Sequence, residues 1–204
     1  MSESSGTTGR RPRTRGQRLS FADRRALKAE VDDPAVVLEA AARFLEPRAR
    51  SEAEVRRRLR GAGYRSELVD GVVERLLELG MLDDAAFARA WIESRDRARP
   101  RGERALRQEL ARKGIDREIV EGLFEDRRNA AVASAAEDGS VPSSPDQAAA
   151  ERLLLKYERA LSRVVDPRQR RQRAYSLLAR NGFDPEVCRT AAAMLGVDPE
   201  PDDD

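Results

Sequence analysis

The chain of 204 residues contains no histidine and a single cysteine, Cys188. Without histidine, the commonest general base and a common zinc ligand are missing. One cysteine cannot form an internal disulfide, which fits a reducing cytoplasm. No run approaches the roughly 18–20 apolar residues of a membrane span, and no apolar segment follows the N-terminal arginines as in a secretory signal. We expect a cytoplasmic, non-enzymatic protein without metal, cofactor or membrane segment.

Aromatic residues are also scarce, at 4% of the chain, whereas charged residues reach 37% and hydrophobic residues 40%. No long stretch alternates apolar and polar residues, and alanine, leucine, arginine and glutamate dominate the sequence. These residue types favour helices over strands. The composition therefore predicts an all-α fold with thin layers and much solvated surface.

Three segments have compositions typical of chain outside a packed core. They are a basic disordered arm at 1–32, a linker or long loop at 127–147, and an acidic tail at 197–204. Residues 1–30 hold eight basic and three acidic residues, and the last seven residues hold five acids and no base. Such ends are usual in proteins that meet nucleic acid. Two merely solvated termini are an equally good interpretation.

Capping residues and apolar periodicity mark the helices between these segments. Asp33 before Pro34, Ser51 with Glu54, and Asp184 before Pro185 are typical helix starts. Nine helices are predicted, at 34–47, 51–62, 66–79, 83–97, 102–113, 116–126, 147–164, 168–180 and 184–195.

One stretch of the sequence recurs three times, as LRGAGYRSELVDGVV, LARKGIDREIVEGLF and LARNGFDPEVCRTAA. Each copy has a leucine, a glycine four residues later (Gly63, Gly114 and Gly182), an apolar residue, and then a glutamate at the same offset. The first two copies are about 50 residues apart, and the linker accounts for the larger spacing between the second and the third. It predicts tandem three-helix repeats at 33–80, 81–126 and 148–196, stacked into an elongated curved body.

The repeat also bears on candidate catalytic groups. Cys188 aligns with core valines, so a buried structural role is favoured over a reactive thiol. Trp91 lies on an apolar helix face, where core packing is favoured over base stacking. The pair Asp83–Asp84 fits helix capping better than an acid–base dyad, because adjacent acids point apart.

The helix before each repeated glycine is basic, and these helices provide the candidate binding residues. Cations spaced three or four residues apart share a helix face, and a stack of such faces could follow a phosphate backbone. A merely solvated basic face is the alternative. The candidates are Arg56, Arg57, Arg60, Arg104, Arg107, Arg112, Lys113, Arg168, Arg170, Arg171, Arg173 and Arg180.

Three motifs of this sequence resemble the regulatory protein RecX family. They are SEAEVRRRLRGAGY at 51–64, VVERLLELGMLDDAAFARAWIESR at 72–95, and ALRQELARKGID at 105–116. The likeness extends over about residues 36–126 and, more weakly, over 148–195. The basic arm, the 127–147 insertion and the acidic tail depart from the family pattern, which leaves their roles open.

The resemblance implies a protein of tandem three-helix repeats that is not an enzyme. Such a protein, here expected as a monomer, binds the RecA–single-stranded DNA filament and restrains the ATPase, strand-exchange and coprotease activities of RecA. It thereby regulates homologous recombination, DNA repair and the SOS response. The alternative is a helical repeat protein that binds nucleic acid without sequence preference and without RecA. Which residues would contact RecA and which DNA stays open.

Overall fold

A computed structural model describes residues 20–139, 141 and 143–196. These residues form ten α-helices and a short 3₁₀ helix, with no strand among them, so the all-α prediction is confirmed. The helices are α1 (Phe21–Ala29), α2 (Pro34–Leu45), α3 (Glu52–Ala62), α4 (Ser66–Glu78), α5 (Asp84–Ala98), α6 (Glu103–Lys113), α7 (Arg117–Asp138), α8 (Pro145–Leu161), α9 (Pro167–Arg180) and α10 (Pro185–Ala193). The disorder predicted for 1–19 and for 197–204 lies outside the described residues.

Helices α2 to α10 form three modules of three helices each, as the repeat predicts. Module 1 consists of α2–α4, module 2 of α5–α7 and module 3 of α8–α10, and each module has its own buried core. Separate cores are typical of repeat proteins, in which each unit packs mainly against its neighbours. No described helix combines the length and the apolar character needed to cross a membrane.

Module 1 illustrates how local sequence fixes the helix ends. The Ser51 hydroxyl and the Glu54 carboxylate accept backbone N–H groups reciprocally at the start of α3, which is the predicted capping box. At the other end Gly63 has a φ of 111°, a left-handed conformation that glycine adopts without steric cost. Tyr64 then enters the core, where only 8% of its surface is exposed. The repeated "glycine then apolar residue" therefore ends one helix and anchors the turn.

The structure corrects the predicted arm of residues 1–32, because part of it forms helix α1. The helix starts at a capping box in which Ser20 and Asp23 bond to each other's backbone N–H groups. No residue of α1 is buried, and Phe21 and Leu27 are exposed. The sequence prediction missed α1 because it relied on an apolar stripe, which this helix lacks.

The predicted linker at 127–147 is also wrong over much of its length. Helix α7 continues to Asp138 and ends at Gly139, which has a φ of 70°. The segment from 127 to 138 contains neither glycine nor proline and is rich in alanine, the best helix former, so the helix has no reason to stop earlier. The small residues of this segment do not indicate a linker, because they also favour a helix. The ends of the eight other predicted helices agree with the observed ends within about three residues.

Candidate functional site

The middle helices of the three modules, α3, α6 and α9, meet end to end. The Ser51 hydroxyl at the start of α3 donates to the carbonyl oxygen of Lys113 at the end of α6, at 2.6 Å. At the next joint, the backbone N–H of Gly102 donates to the carbonyl oxygen of Asn181, at 3.1 Å. Ser51 and Gly102 are equivalent N-cap residues, and Lys113 and Asn181 both precede the repeated glycine. The two joints are therefore built on the same plan.

Small residues allow this close approach. A Cβ atom added to Gly114 would lie 2.3 Å from the Cβ of Ala53, and one added to Gly102 would lie 2.3 Å from the carbonyl oxygen of Gly182. Real Cβ atoms essentially never approach neighbours so closely. The repeated glycines thus have a second role, which the sequence did not indicate, at the joints between modules.

A carboxylate from the first helix of the next module completes each joint. Asp84 accepts the backbone N–H of Glu52 at the start of α3, at 2.9 Å, and Asp146 accepts that of Glu103 at the start of α6, at 3.0 Å. Burial raises the pKa of both aspartates to about 6. These carboxylates bind orphan N–H groups of a neighbouring helix and so tie one module to the next.

The pair Asp83–Asp84 is accordingly a pair of caps, as the sequence favoured. Asp83 accepts the N–H of Ala86 within its own helix, at 2.8 Å, while Asp84 binds α3. Cys188 is fully buried in module 3, where burial raises the pKa of its thiol. Trp91 packs against the core of module 2 and stacks on Phe87 with ring centroids 6.0 Å apart. The predicted structural roles of these residues are confirmed.

The candidate cations fall into two groups, of which the first is occupied by carboxylates. Arg56 and Arg60 both bind Asp70 of α4, at 3.2 and 2.7 Å. Arg56 also pairs with Glu52 of its own helix. These side chains link α3 to α4 within module 1.

The same arrangement recurs in module 2. Arg107 bridges Glu103 and Glu121, and its hydrogen bond holds the pKa of the Glu121 carboxyl below the ordinary value. The ammonium group of Lys113 binds Glu54 across the joint between modules, at 2.8 Å. Arg56, Arg60, Arg107 and Lys113 therefore have structural partners within the protein.

The second group makes no ion pair with the residues that the structure describes. Most of its members are exposed; Arg171 is half-buried, and Arg170 donates to the carbonyl oxygen of Val164, at 3.1 Å. The group comprises Arg57, Arg104, Arg112, Arg168, Arg170, Arg171, Arg173 and Arg180.

Three of these arginines converge at the joint between modules 2 and 3. Arg104 and Arg112 of α6 and Arg180 of α9 line a cleft of about 360 Å³, together with Arg101. We call this the α6/α9 cleft. Arg57 does not belong to it and lies in the middle of α3, where it lines a different cleft together with residues of α1. The cleft brings together charges that are distant in sequence, from two modules.

Arg101 is the cleft residue that the sequence reasoning missed, because it precedes the predicted helix. Its guanidinium donates to the Asn181 side chain at 3.1 Å and lies 3.8 Å from Glu109. Among the described residues that line the cleft, Glu109 alone has a carboxylate, and it also accepts hydrogen bonds from Trp91 and Arg95, at 2.8 and 2.7 Å. Because four arginines line the cleft against this one carboxylate, the cleft carries a net positive charge.

The arrangement provides several cations on an open surface. In the described part of the chain, no cluster of three or more acidic, cysteine or histidine residues could hold a metal ion. Guanidinium groups in such an arrangement can bind phosphates or carboxylates. The geometry fits an anionic macromolecular partner.

Comparisons with known proteins agree with the three-helix plan. Family models match at residues 38–76 (RecX, first three-helix domain) and 83–122 (RecX, second three-helix domain). Regulatory protein RecX of Mycobacterium avium (strain 104) is 30% identical over 159 residues, which span 78% of this chain and 84% of that protein. Regulatory protein RecX of Mycobacterium sp. (strain JLS) is 42% identical over 84 residues, but this match spans only 46% of that relative.

The fold has been seen in a solved structure as well. RecX from Lactobacillus salivarius superimposes with a TM-score of 0.65, covering 80% of this chain and 97% of that one. The sequence identity is 19%, so this likeness concerns the fold. The family models cover modules 1 and 2, and the structural match extends over most of the chain.

Proposed function

Because the chain belongs to the RecX family of regulatory proteins, we propose that it binds the RecA–single-stranded DNA filament and inhibits RecA. The inhibited activities are the ATPase, strand exchange and coprotease activities, so the protein regulates homologous recombination and DNA repair. It acts by binding and not by catalysis. RecA and the DNA strand within its filament are the partners.

The observation that carries this proposal is the α6/α9 cleft. Arg104 and Arg112 come from one module and Arg180 from the next, so the cleft exists only when the modules are stacked. Cations gathered in a cleft attract anionic surfaces and raise the rate of encounter with them. A nucleoprotein filament offers both phosphates and acidic side chains to such a surface.

The division of the candidate cations into two groups sharpens the proposed contact surface. Arg104, Arg112 and Arg180 form its centre, and the remaining exposed arginines of α9 extend it. Arg56, Arg60, Arg107 and Lys113 were candidates too, but their carboxylate partners give the three arginines a role within their modules and Lys113 a role between two modules. We therefore expect mutations in the two groups to have different consequences.

The test is the ATPase activity of RecA on single-stranded DNA with substoichiometric amounts of this protein. Wild-type protein should inhibit, and the double variant Arg104→Gln/Arg180→Gln should inhibit at least tenfold less well, since each lost charged contact contributes about 1–3 kcal/mol. Arg159→Gln/Arg163→Gln is the matched control, because these exposed arginines lie outside the cleft. Wild-type protein that leaves the ATPase unchanged would refute the proposal.

A RecA-independent nucleic-acid-binding protein is the second candidate. Helix α9 favours it, because this helix carries five arginines and no acidic residue, and Arg168 and Arg173 are exposed. This function predicts tight binding to bare DNA with a steep salt dependence, since each phosphate contact releases counterions. Tight binding to RecA filaments together with weak binding to bare DNA would support the RecA-filament inhibitor and reject the RecA-independent function.

A further inference from the structure

A second basic cleft lies between α1 and α3, away from the joint between α6 and α9. It has a volume of about 410 Å³, and none of the described residues that line it carries a carboxylate. We call it the α1/α3 cleft and define it by Phe21, Arg24, Arg25, Lys28, Arg57 and Arg58. Both matched family domains leave α1 out, since the first begins at residue 38.

Helix α1 presents one face to this cleft. Phe21, Arg24, Arg25 and Lys28 follow each other at intervals of three, one and three residues, which places them on the same side of a helix. The backbone of Arg25 packs directly on the end of α3: a Cβ atom added to Gly63 would lie 2.6 Å from the Arg25 carbonyl oxygen. The cations of α1 are therefore held close to those of α3.

None of the five cations of the cleft forms an ion pair with any residue that the structure describes. Lys28 lies over the ring of Tyr64, 5.1 Å from its centroid, and Arg58 lies 5.6 Å from the centroid of Phe44. These aromatic contacts orient two of the cations without neutralising them. Arg60 on the same helix α3 differs, since Asp70 binds it.

This accumulation of like charge opposes the packing of α1 on α3, and an anion between the two helices would relieve it. Helix α1 buries no side chain of its own, and the apolar contact nearest to it is made by Val31, after its end. The unused charge points to a ligand.

Phe21 identifies the class of anion. This residue is 64% exposed at the start of α1, beside Arg24 and Arg25. An exposed aromatic ring next to a positive groove is the combination with which proteins bind single-stranded nucleic acid, because each base can stack on the ring while its phosphate is neutralised. A protein partner with acidic side chains would use the cations but not an accessible ring in this way.

We infer that the α1/α3 cleft binds a segment of single-stranded DNA, with phosphates on the cations and one base stacked on Phe21. The inference rests on the proposed function, in which the protein meets a DNA strand within the filament, and it deepens that function by naming the contact to the strand. Arg57 lies in this cleft and would belong to the DNA contact.

The experiment uses the fluorescence anisotropy of a labelled oligothymidylate of twelve nucleotides to measure its binding constant K for the full chain, over a range of salt concentrations. The variant Arg24→Gln/Arg25→Gln/Lys28→Gln should bind at least tenfold more weakly. Its slope of log K against log salt should fall by about 2, since each phosphate contact on a single strand contributes about 0.7. Arg159→Gln/Arg163→Gln/Arg189→Gln is the matched control, because it removes the same charge from exposed positions outside both clefts.

Phe21→Ala tests the stacked base separately. It should weaken oligothymidylate binding about tenfold and leave binding of an abasic deoxyribose-phosphate oligomer unchanged, since only a base can stack. All substituted side chains of α1 are solvent-accessible, so the circular dichroism of the helical modules should be preserved.

Several results would overturn the inference. Absent binding of wild-type protein, or equal losses in the cleft variant and the control, would mean that the cleft is no DNA site. Equal affinity for a blunt duplex, or a Phe21→Ala effect that is the same on the abasic oligomer, would refute the single-strand contact.

The RecA ATPase assay run in parallel separates the two proposals. A wild-type chain that binds oligothymidylate through the cleft but leaves RecA uninhibited refutes only the proposed function. Inhibition of RecA with cleft-independent DNA binding refutes only this inference.

Discussion

The backbone N–H of Gly102 donates to the carbonyl oxygen of Asn181, 79 positions away in the chain, at 3.1 Å. This bond joins the start of α6 to the end of α9 and repeats the contact between Ser51 and Lys113 one module earlier. The cations that line the α6/α9 cleft are held on either side of it. The joint between modules and the candidate binding surface are therefore one structural unit.

Replacing Gly102 by alanine should loosen this joint. The new Cβ would lie 2.3 Å from the Gly182 carbonyl oxygen, so the modules must shift apart. We expect a loss of about 1–3 kcal/mol in the free energy of unfolding, measured by urea denaturation. Gly122→Ala in α7 is the control, since nothing lies within 4 Å of its added Cβ, and it should stabilise the helix by about 0.5–1 kcal/mol. Equal behaviour of the two variants would contradict the described joint.

Asp146 should make the stability depend on pH between about 4 and 6. Burial raises its pKa from 3.8 in the unfolded chain to about 6 in the fold, so the folded protein binds this proton more tightly. The resulting stability is fully present below pH 3.8 and is lost as the pH rises through about 6. Asp146→Asn should reduce the pH dependence of the unfolding free energy in this window and leave the contribution of Asp84, whose pKa is also raised to about 6. Asp184→Asn, an exposed cap, serves as the control. An unchanged profile in Asp146→Asn would speak against a buried carboxyl.

Two neighbouring cations should separate binding from stability. Arg112 lines the α6/α9 cleft, whereas Lys113 binds Glu54 across a joint. The side chain of Lys113 is 21% exposed and that of Glu54 is 11% exposed. Arg112→Met should weaken inhibition of RecA severalfold and leave the unfolding free energy within about 0.5 kcal/mol of wild type. Lys113→Met should instead destabilise the protein by about 1–3 kcal/mol, because the largely buried Glu54 carboxylate loses the ammonium group that binds it across the joint. Denaturation and the ATPase assay on both variants check this, and interchanged effects would refute the division into two groups.

Cys188 should report on the integrity of module 3. Its side chain is fully buried and the raised pKa of the thiol disfavours the reactive thiolate, so labelling by a thiol reagent should be slow in the folded protein. Labelling should accelerate in step with the loss of helicity in urea. Cys188→Ser should cost about 1–3 kcal/mol, since a hydroxyl replaces a small apolar group in the core. Rapid labelling under native conditions would show that module 3 opens on its own.

The sequence determined the modules because their signals are local. Caps such as Ser51 with Glu54 lie within one helical turn, and the glycine that ends each middle helix needs only its own backbone freedom. The same local reasoning failed for α1, which has a cap but no apolar stripe, and for the end of α7, where alanine continues the helix. Composition alone does not distinguish an alanine-rich linker from an alanine-rich helix.

Only the tertiary structure decided which arginines are available to contact a binding partner. The pairing of Arg60 with Asp70, and that of Lys113 with Glu54, joins residues of different helices, and Glu54 is 59 positions away. Glu52 and Glu103 each lie four residues before an arginine, so the sequence already indicated that Arg56 and Arg107 could form ion pairs within their own helices. Convergence of Arg104 with Arg180 had no such hint, because it follows from how one module stacks on the next. Helix formation is a property of neighbouring residues, whereas a charged surface depends on which helices the fold brings together.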